Sequence, residues 1–162
     1  MNELKELMLR SPKLTLAVAE SMTSGHLQAQ VGAISGASNF FLGGITAYTL
    51  DQKVRHLGID RAAAEAVDCV SAAVAEQMAR GACALFGADL GVATTGYAEP
   101  SVDPVVADPF AWWAIAWRQS DGSSAVRSGR VDCPGASRVA AQERVADAAL
   151  EALVEWLKTE RR

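Results

Sequence analysis

A serine-rich turn after the first predicted strand is the segment of this sequence best suited to chemistry. Residues 20–25 read Glu-Ser-Met-Thr-Ser-Gly and follow an apolar run at residues 14–19 that is typical of a buried strand. Small hydroxyl side chains and a glycine before a helix suit an anion, because backbone N–H groups point outward and the helix dipole favours negative charge. The alternative is a turn that only caps the helix, and residues 20–25 alone do not separate these interpretations.

Two further strand ends are predicted to bring reactive side chains to the same edge of the sheet. Tyr48 ends the second predicted strand, Lys53 follows it, and residues 94–96 (Thr-Thr-Gly) end the third. Ligands of open α/β sheets bind beyond the carboxyl ends of parallel strands. Ser21 can act there as a nucleophile if Tyr48, or a Lys53 desolvated enough to be neutral, accepts its proton. A single lysine is usually a surface charge and a single tyrosine a packing residue, so the combination carries the prediction of a hydrolytic site.

Alternating strands and helices position these residues. We predict strands at residues 14–19, 44–48, 90–94, 110–117 and 125–131, and helices at residues 2–9, 26–31, 51–57, 61–67, 71–86 and from 134–137 to 160. Asp121-Gly122 predicts an antiparallel hairpin between the last two strands, and residues 95–109 are predicted to form a long loop. The pattern predicts one domain over residues 1–162, a three-layer α/β/α sandwich with a mixed, mostly parallel five-stranded sheet.

Composition narrows the class of protein. The net charge is −4 without a clustered basic face, so we expect no nucleic-acid partner. Cys69, Cys83 and Cys133 match no zinc spacing and there are two histidines, so we expect neither a metal nor a cofactor. No apolar run approaches the roughly 20 residues of a membrane span and no signal peptide is visible, so we expect a cytoplasmic protein without a membrane partner.

Three tryptophans within residues 110–117 leave the oligomeric state open. One alternative is an exposed aromatic patch that forms a homo-oligomer interface. The other is core packing of a central strand.

Several blocks of the sequence resemble the C-terminal domain of the competence/damage-inducible protein CinA, a family that includes stand-alone nicotinamide-mononucleotide deamidases. Residues 15–25 (TLAVAESMTSG) are similar to its first strand and its Ala-Glu-Ser-Cys-Thr-Gly-Gly signature. Residues 41–48 (FLGGITAY), Lys53 and residues 57–59 (LGI) are similar to its second block. Val70-Ser71, Met78-Ala79 and Thr95-Gly96 fit a third block of the family. The resemblance covers nearly the whole chain.

The resemblance implies an α/β/α amidohydrolase that acts without a metal on a small-molecule nucleotide. The reaction converts nicotinamide mononucleotide to nicotinic acid mononucleotide and ammonia in the pyridine nucleotide cycle. By the same resemblance Ser21 is the nucleophile, and Tyr48 and Lys53 activate it. The residues expected to bind substrate are Glu20, Thr23, Ser24, Gly25, Thr95 and Gly96.

Some positions depart from the family's pattern and keep two other functions open. Met22 replaces the signature's cysteine, Glu99 stands where the family has a glycine, and Trp112 brings bulk to the fourth strand. Ala140 stands where an arginine is usual, and Arg138 is out of register. Glu99 would repel a phosphate and Trp112 could fill pocket volume. The alternatives are therefore a diverged hydrolase of another amide and an inactive ligand-binding or regulatory homologue.

Overall fold

The computed structural model describes residues 2–161 and contains a five-stranded mixed sheet. The helices are α1 (Asn2–Leu9), α2 (His26–Gly32), α3 (Leu50–Leu57), α4 (Arg61–Glu65), α5 (Ala72–Phe86) and α6 (Arg138–Glu160). The strands are β1 (Leu16–Glu20), β2 (Phe41–Thr46), β3 (Leu90–Tyr97), β4 (Ser101–Val102), β5 (Val105–Val106), β6 (Phe110–Arg118) and β7 (Ser124–Asp132). The sheet order is β2-β1-β3-β6-β7, while β4 and β5 form a separate small hairpin.

The strand directions confirm the predicted mixed sheet. β1 is parallel to both β2 and β3, whereas β6 is antiparallel to β3 and β7. Strands β1, β2, β3 and β7 therefore run in one direction, and their carboxyl ends lie at the same edge. The edge that receives the turn after β1 also receives the connection from β7 to α6.

Helices cover both faces of the sheet, which confirms the predicted three layers. The face toward α1, α2 and α6 carries large side chains, which are Leu16, Val18, Leu90, Val92 and Ile115. The face toward α5 carries alanines at the alternate positions, which are Ala17, Ala19, Ala93, Ala114 and Ala116. This alternation follows from the two-residue repeat of a strand.

Small residues let α5 pack closely on the sheet. A Cβ atom at Gly91 would lie 2.1 Å from the carbonyl oxygen of Ala79 on α5. The helix begins after Ser71, whose Oγ accepts a hydrogen bond from the N–H of Val74 at 3.1 Å. Helix α5 is followed directly by β3 and packs back along it. The first turn of α5 therefore lies beside the carboxyl end of β3. The segment before Ser71 lies over the carboxyl edge of the sheet as a result.

Strands β2 and β3 differ most from their predicted limits, and β2 ends at Thr46, so Tyr48 follows this strand instead of ending it. β2 begins at Phe41, although residues 41–43 were expected to precede it, because Gly43 and Gly44 weaken the local strand signal. A Cβ atom at Gly44 would lie 2.5 Å from Cγ2 of Val18, so the glycine permits close contact with β1. β3 continues to Tyr97, because residues 95–97 pair with residues 110–112 of β6. The long loop predicted at residues 95–109 is therefore shorter and contains the β4–β5 hairpin.

The tryptophans of β6 are packing residues. Trp113 and Trp117 pack against the core beneath α6, and Trp112 packs against the core beneath α5. All three are half-buried, and the Trp117 ring meets that of Trp156 edge-on at 5.8 Å. These contacts favour core packing over the exposed aromatic patch.

Candidate active site

The buried carboxylate of Glu20 holds the turn after β1. Its Oε2 accepts hydrogen bonds from Thr23 Oγ1 at 2.7 Å and from the N–H groups of Gly25 and Leu27, both at 3.0 Å. Its Oε1 accepts from the N–H of Gln28 at 2.9 Å. A buried carboxylate needs such donors, and the first N–H groups of a helix lack partners within the helix. Glu20, expected to bind substrate, is thus occupied in fixing the turn that follows it.

Thr23, also expected to bind substrate, completes this internal network. Its Oγ1 lies 2.7 Å from Thr94 Oγ1 on β3, and the residue is fully buried. The neighbouring Ser24 and Gly25 have left-handed backbone angles, with φ values of 48° and 102°. Ser24 is exposed at the outer side of the turn. Contact of Ser24 or Gly25 with a substrate stays a prediction.

Ser21 and Lys53 form a buried hydrogen-bonded pair. Lys53 Nζ donates to Ser21 Oγ at 2.8 Å and to the carbonyl oxygen of Tyr48, also at 2.8 Å. Ser21 Oγ lies 3.5 Å from the same carbonyl oxygen. Ser21 is 6% exposed and Lys53 only 1%. The two side chains expected to do the chemistry therefore lie in hydrogen-bond contact.

Helix α3 directs Lys53 inward. Thr49 precedes the helix with an extended backbone, and the N–H of Lys53 donates to its carbonyl oxygen at 3.0 Å. Lys53 and Leu57 are four residues apart, so they share one helical face, and both are buried. Asp51, in the first turn of this helix, pairs with Arg61 at 2.6 Å.

Burial changes the electrostatics of Lys53. Loss of water around the ammonium lowers the pKa of Lys53 below its usual value, and the nearby Cys69 and Asp68 oppose this shift. Burial also raises the pKa of the Cys69 thiol, so the thiol is largely uncharged at neutral pH. A lowered lysine pKa increases the fraction of neutral amine, which is the form that can accept a proton from Ser21.

Tyr48 contacts the pair through its backbone rather than its phenol. The side chain is 48% exposed and points to the rim of the site. Its hydroxyl oxygen accepts a hydrogen bond from Arg138 Nη2 at 2.7 Å. The expectation that the phenol activates Ser21 differs from this geometry, in which the carbonyl oxygen of Tyr48 orients Lys53. Sequence patterns describe side chains, so they gave no signal for a carbonyl contact.

Thr95 positions the segment between α4 and α5, and Gly96 makes room for β6. Thr95 Oγ1 donates to the carbonyl oxygen of Cys69 at 2.7 Å. A Cβ atom at Gly96 would lie 2.4 Å from the carbonyl oxygen of Phe110, so this glycine allows β6 to approach. Both residues lie at the expected edge, and their contact with substrate stays a prediction.

Tyr97 and Asp68 fix the other end of this segment. Tyr97 OH donates to Asp68 Oδ2 at 2.9 Å. Burial, then the hydrogen bond and the charge of Asp68, raise the pKa of Tyr97 to about 12. Asp68 and Cys69 have φ values of 50° and 60°, which are uncommon for residues with side chains. Such backbone conformations often occur at functional sites.

Two buried N–H groups next to Ser21 have no acceptor among residues 2–161. They belong to Met22 and Thr23, which are 2% and 0% exposed. The N–H of Ser21 itself donates to the carbonyl oxygen of Thr94 at 3.1 Å. Unpaired buried N–H groups are rare in folded proteins. Thr23 has no exposed surface, so of the two only the N–H of Met22 is a candidate donor to the oxyanion of an acyl-transfer reaction.

Arg138, which the sequence placed out of register, reaches the rim of the site. It is the first residue of α6, after the capping residue Ser137. Its Nη1 donates to Glu99 Oε1 at 2.6 Å, and its Nη2 to Tyr48 as described. Strands β1 and β7 run in the same direction, so the start of α6 lies at the sheet edge that holds Ser21. This shared direction is the signal from which the position of Arg138 could have been predicted.

Among residues 2–161, no group of three or more His, Cys, Asp or Glu side chains is arranged to hold a metal ion. Over the same residues, no helix has the length and apolar character needed to cross a membrane.

The fold and the site define an α/β protein with a serine–lysine pair at the carboxyl edge of its sheet. The chain belongs to the CinA C-terminal domain family, whose model matches residues 1–157. The expected resemblance is thereby confirmed.

Curated relatives and solved structures agree with this assignment. A CinA-like protein of Chlorobium limicola is 42% identical over 146 residues, covering 88% of this chain and 33% of the relative. One from Picosynechococcus is 44% identical over 110 residues, covering 68% of this chain and 26% of the relative. The chain thus spans a third or less of these relatives. A CinA superfamily protein of Klebsiella pneumoniae superimposes with a TM-score of 0.84 at 26% identity, covering 97% of this chain and 94% of that one.

Proposed function

We propose that this chain is an amidohydrolase that converts nicotinamide mononucleotide and water to nicotinic acid mononucleotide and ammonia. The observation that carries the proposal is the 2.8 Å hydrogen bond between Lys53 Nζ and Ser21 Oγ in a buried setting. The choice of substrate comes from the family resemblance, and the reaction type comes from this pair.

The first half of the reaction forms an acyl-enzyme. Neutral Lys53 takes the hydroxyl proton of Ser21 while Oγ attacks the carbonyl carbon of the amide. Negative charge develops on the carbonyl oxygen, and the N–H group of Met22, the residue next to Ser21, is proposed as its donor. The C–N bond then breaks, and the ammonia that leaves takes the proton from Lys53.

The second half releases the acid. A water molecule attacks the ester carbon and gives a proton to Lys53, and this proton returns to Ser21 Oγ as the ester bond breaks. The carbonyl oxygen of Tyr48 accepts a hydrogen bond from Lys53 and keeps the amine aimed at Oγ. Fixed geometry of this kind supplies much of the rate enhancement of such a pair.

Release of ammonia from nicotinamide mononucleotide by the purified protein tests the proposal. The control is Ser21→Ala, which removes the nucleophile and leaves the fold intact. Turnover by the native protein and none by the variant is the expected result; equal rates for both would refute the proposal. A parallel panel of amides without a phosphate tests the alternative of a diverged hydrolase.

A further inference from the structure

Three residues from distant parts of the chain meet at the rim of the site. Arg138 at the start of α6 contacts Glu99, which follows β3, and Tyr48, which lies between β2 and α3. The side chains of Arg138 and Glu99 are 44% and 61% exposed, so solvent and ligands can reach them. We call these three residues the rim bridge.

The rim bridge is directly connected to the serine–lysine pair. The carbonyl oxygen of Tyr48 contacts Lys53, while its phenol contacts Arg138. A group bound to Arg138 is therefore about one tyrosine side chain away from Ser21. This separation suits a small ligand that carries a reactive group at one end and a charge at the other.

The pairing of Arg138 with Glu99 leaves room for a better partner. Glu99 accepts through one carboxylate oxygen, Oε1, from one guanidinium nitrogen, Nη1. A guanidinium can bind two oxygens of an anion at once through its planar fork of donors, and such bonds are stronger than single ones. Exposed ion pairs contribute little to stability. An incoming phosphate or carboxylate can therefore displace Glu99.

We propose that Arg138 is the anion-binding residue of this site and that Glu99 is its built-in competitor. The Glu99 carboxylate occupies Arg138 while the site is empty and leaves when the anionic group of a substrate binds. Glu99 thereby lowers the affinity of the site for anions and selects ligands whose charge is strong enough to replace it. The proposal extends the proposed function, because the phosphate of a mononucleotide is such a group.

Two variants separate the roles of the rim bridge. Glu99→Gln keeps the shape and removes the competing charge, so it should tighten anion binding about 2- to 5-fold. Arg138→Met keeps the length of the side chain and removes the donors, so it should weaken binding at least about 10-fold. Glu160→Gln is the control, because Glu160 pairs with Arg127 at comparable exposure, 47% for both, away from the site.

The probes are nicotinic acid mononucleotide, measured by calorimetry, and inorganic phosphate, titrated against isotope-labelled protein by NMR. Phosphate carries the charge without the pyridine ring, so it reports on Arg138 alone. Nicotinamide riboside, which lacks the phosphate, should bind equally to all variants. Equal affinity of the native protein and both rim variants for phosphate and for the nucleotide would overturn the proposal.

The two proposals can fail independently. If the variants follow the expected order with phosphate but no ammonia is released from nicotinamide mononucleotide, the anion site stands and the proposed reaction falls. If ammonia is released but the native protein and both rim variants bind phosphate and the nucleotide with equal affinity, the proposed reaction stands and the proposed role of the rim bridge is wrong.

Discussion

In the proposed reaction, Lys53 combines a chemical function with a structural burden. Within residues 2–161, its buried amine donates hydrogen bonds to the oxygens of Ser21 and Tyr48. An ammonium in this place would need more compensation than two neutral acceptors provide. The burial that favours the neutral amine needed for the proposed reaction therefore also makes the lysine unfavourable for stability.

Replacing Lys53 by Met should separate these two effects. We expect kcat to fall at least about 10³-fold, because the proton acceptor is lost. We also expect the melting temperature at neutral pH to stay the same or rise, by about 2–4 °C for each kcal/mol of relieved burial. Thermal unfolding and ammonia release measure the two effects. A variant that is both active and destabilised would contradict this account.

The pH dependence of the proposed reaction should follow the titration of Lys53. Desolvation lowers the pKa of Lys53, so kcat/KM should rise with pH through an inflection below 10.5. The lysine is more readily protonated in the unfolded chain, so stability should also rise with pH between the folded pKa and 10.5. Rate profiles and urea unfolding across this range measure both. Profiles that stay flat would exclude Lys53 as the titrating base.

Asp68→Asn tests the direction in which a neighbouring charge shifts the pKa of Lys53. The charge of Asp68 raises the pKa of Lys53, so its removal should move the acidic limb of the rate profile to lower pH. Asparagine can still accept the hydrogen bond of Tyr97, which keeps the segment in place. The control is Asp51→Asn, which removes an exposed carboxylate on α3 that pairs with Arg61. A shift to higher pH, or an equal shift in the control, would oppose the assignment.

Tyr48→Phe distinguishes the carbonyl contact from a phenol base. The variant keeps the backbone oxygen that holds Lys53 and removes the hydroxyl that accepts from Arg138. We expect kcat to change less than about 3-fold and any effect to appear in KM. Loss of about 10²-fold in kcat would instead indicate that the phenol takes part in proton transfer.

At the scale of elements, the turn after β1 depends on the carboxylate of Glu20, both of whose oxygens accept hydrogen bonds. Glu20→Gln leaves one accepting oxygen and places an NH₂ group against N–H donors. We expect a loss of about 2–4 kcal/mol in the free energy of unfolding, because buried donors lose their partners. Urea denaturation measures the loss. Glu143→Gln on the exposed side of α6 is the control and should be neutral.

Local patterns predicted the elements that deliver Ser21 and Lys53. The apolar run before Ser21, the glycine that ends α3 and the hairpin at Asp121-Gly122 each have a local physical signal, and the structure contains the corresponding elements. The extension of β3 to Tyr97 depends on pairing with β6, and the contact between Arg138 and Tyr48 joins residues 90 positions apart. Contacts of that kind arise from tertiary packing, which a single sequence does not display.

At the scale of the whole molecule, the site depends on how closely α5 approaches the sheet. Gly91→Val would place side-chain atoms against the backbone of Ala79. We expect destabilisation of about 3 kcal/mol or more, together with reduced activity, because the segment before α5 would move away from Thr95. Gly32→Ala, where a Cβ atom meets nothing within 4 Å, is the control. Unfolding curves that coincide for the two variants would contradict this account of the packing.

Ser21 and Lys53, the proposed catalytic pair, follow strands with different numbers of neighbouring strands in the sheet. Ser21 continues from β1, which has a hydrogen-bonded neighbour on each side, whereas Lys53 lies on a short helix that follows the edge strand β2. Edge elements open locally more often than interior strands do. In rising urea, ammonia release should therefore disappear before the circular dichroism of the sheet changes, and hydrogen exchange should be faster in α3 than in β1. The proposed activity would then be lost by local unfolding at one edge of the sheet while most of the molecule is still folded.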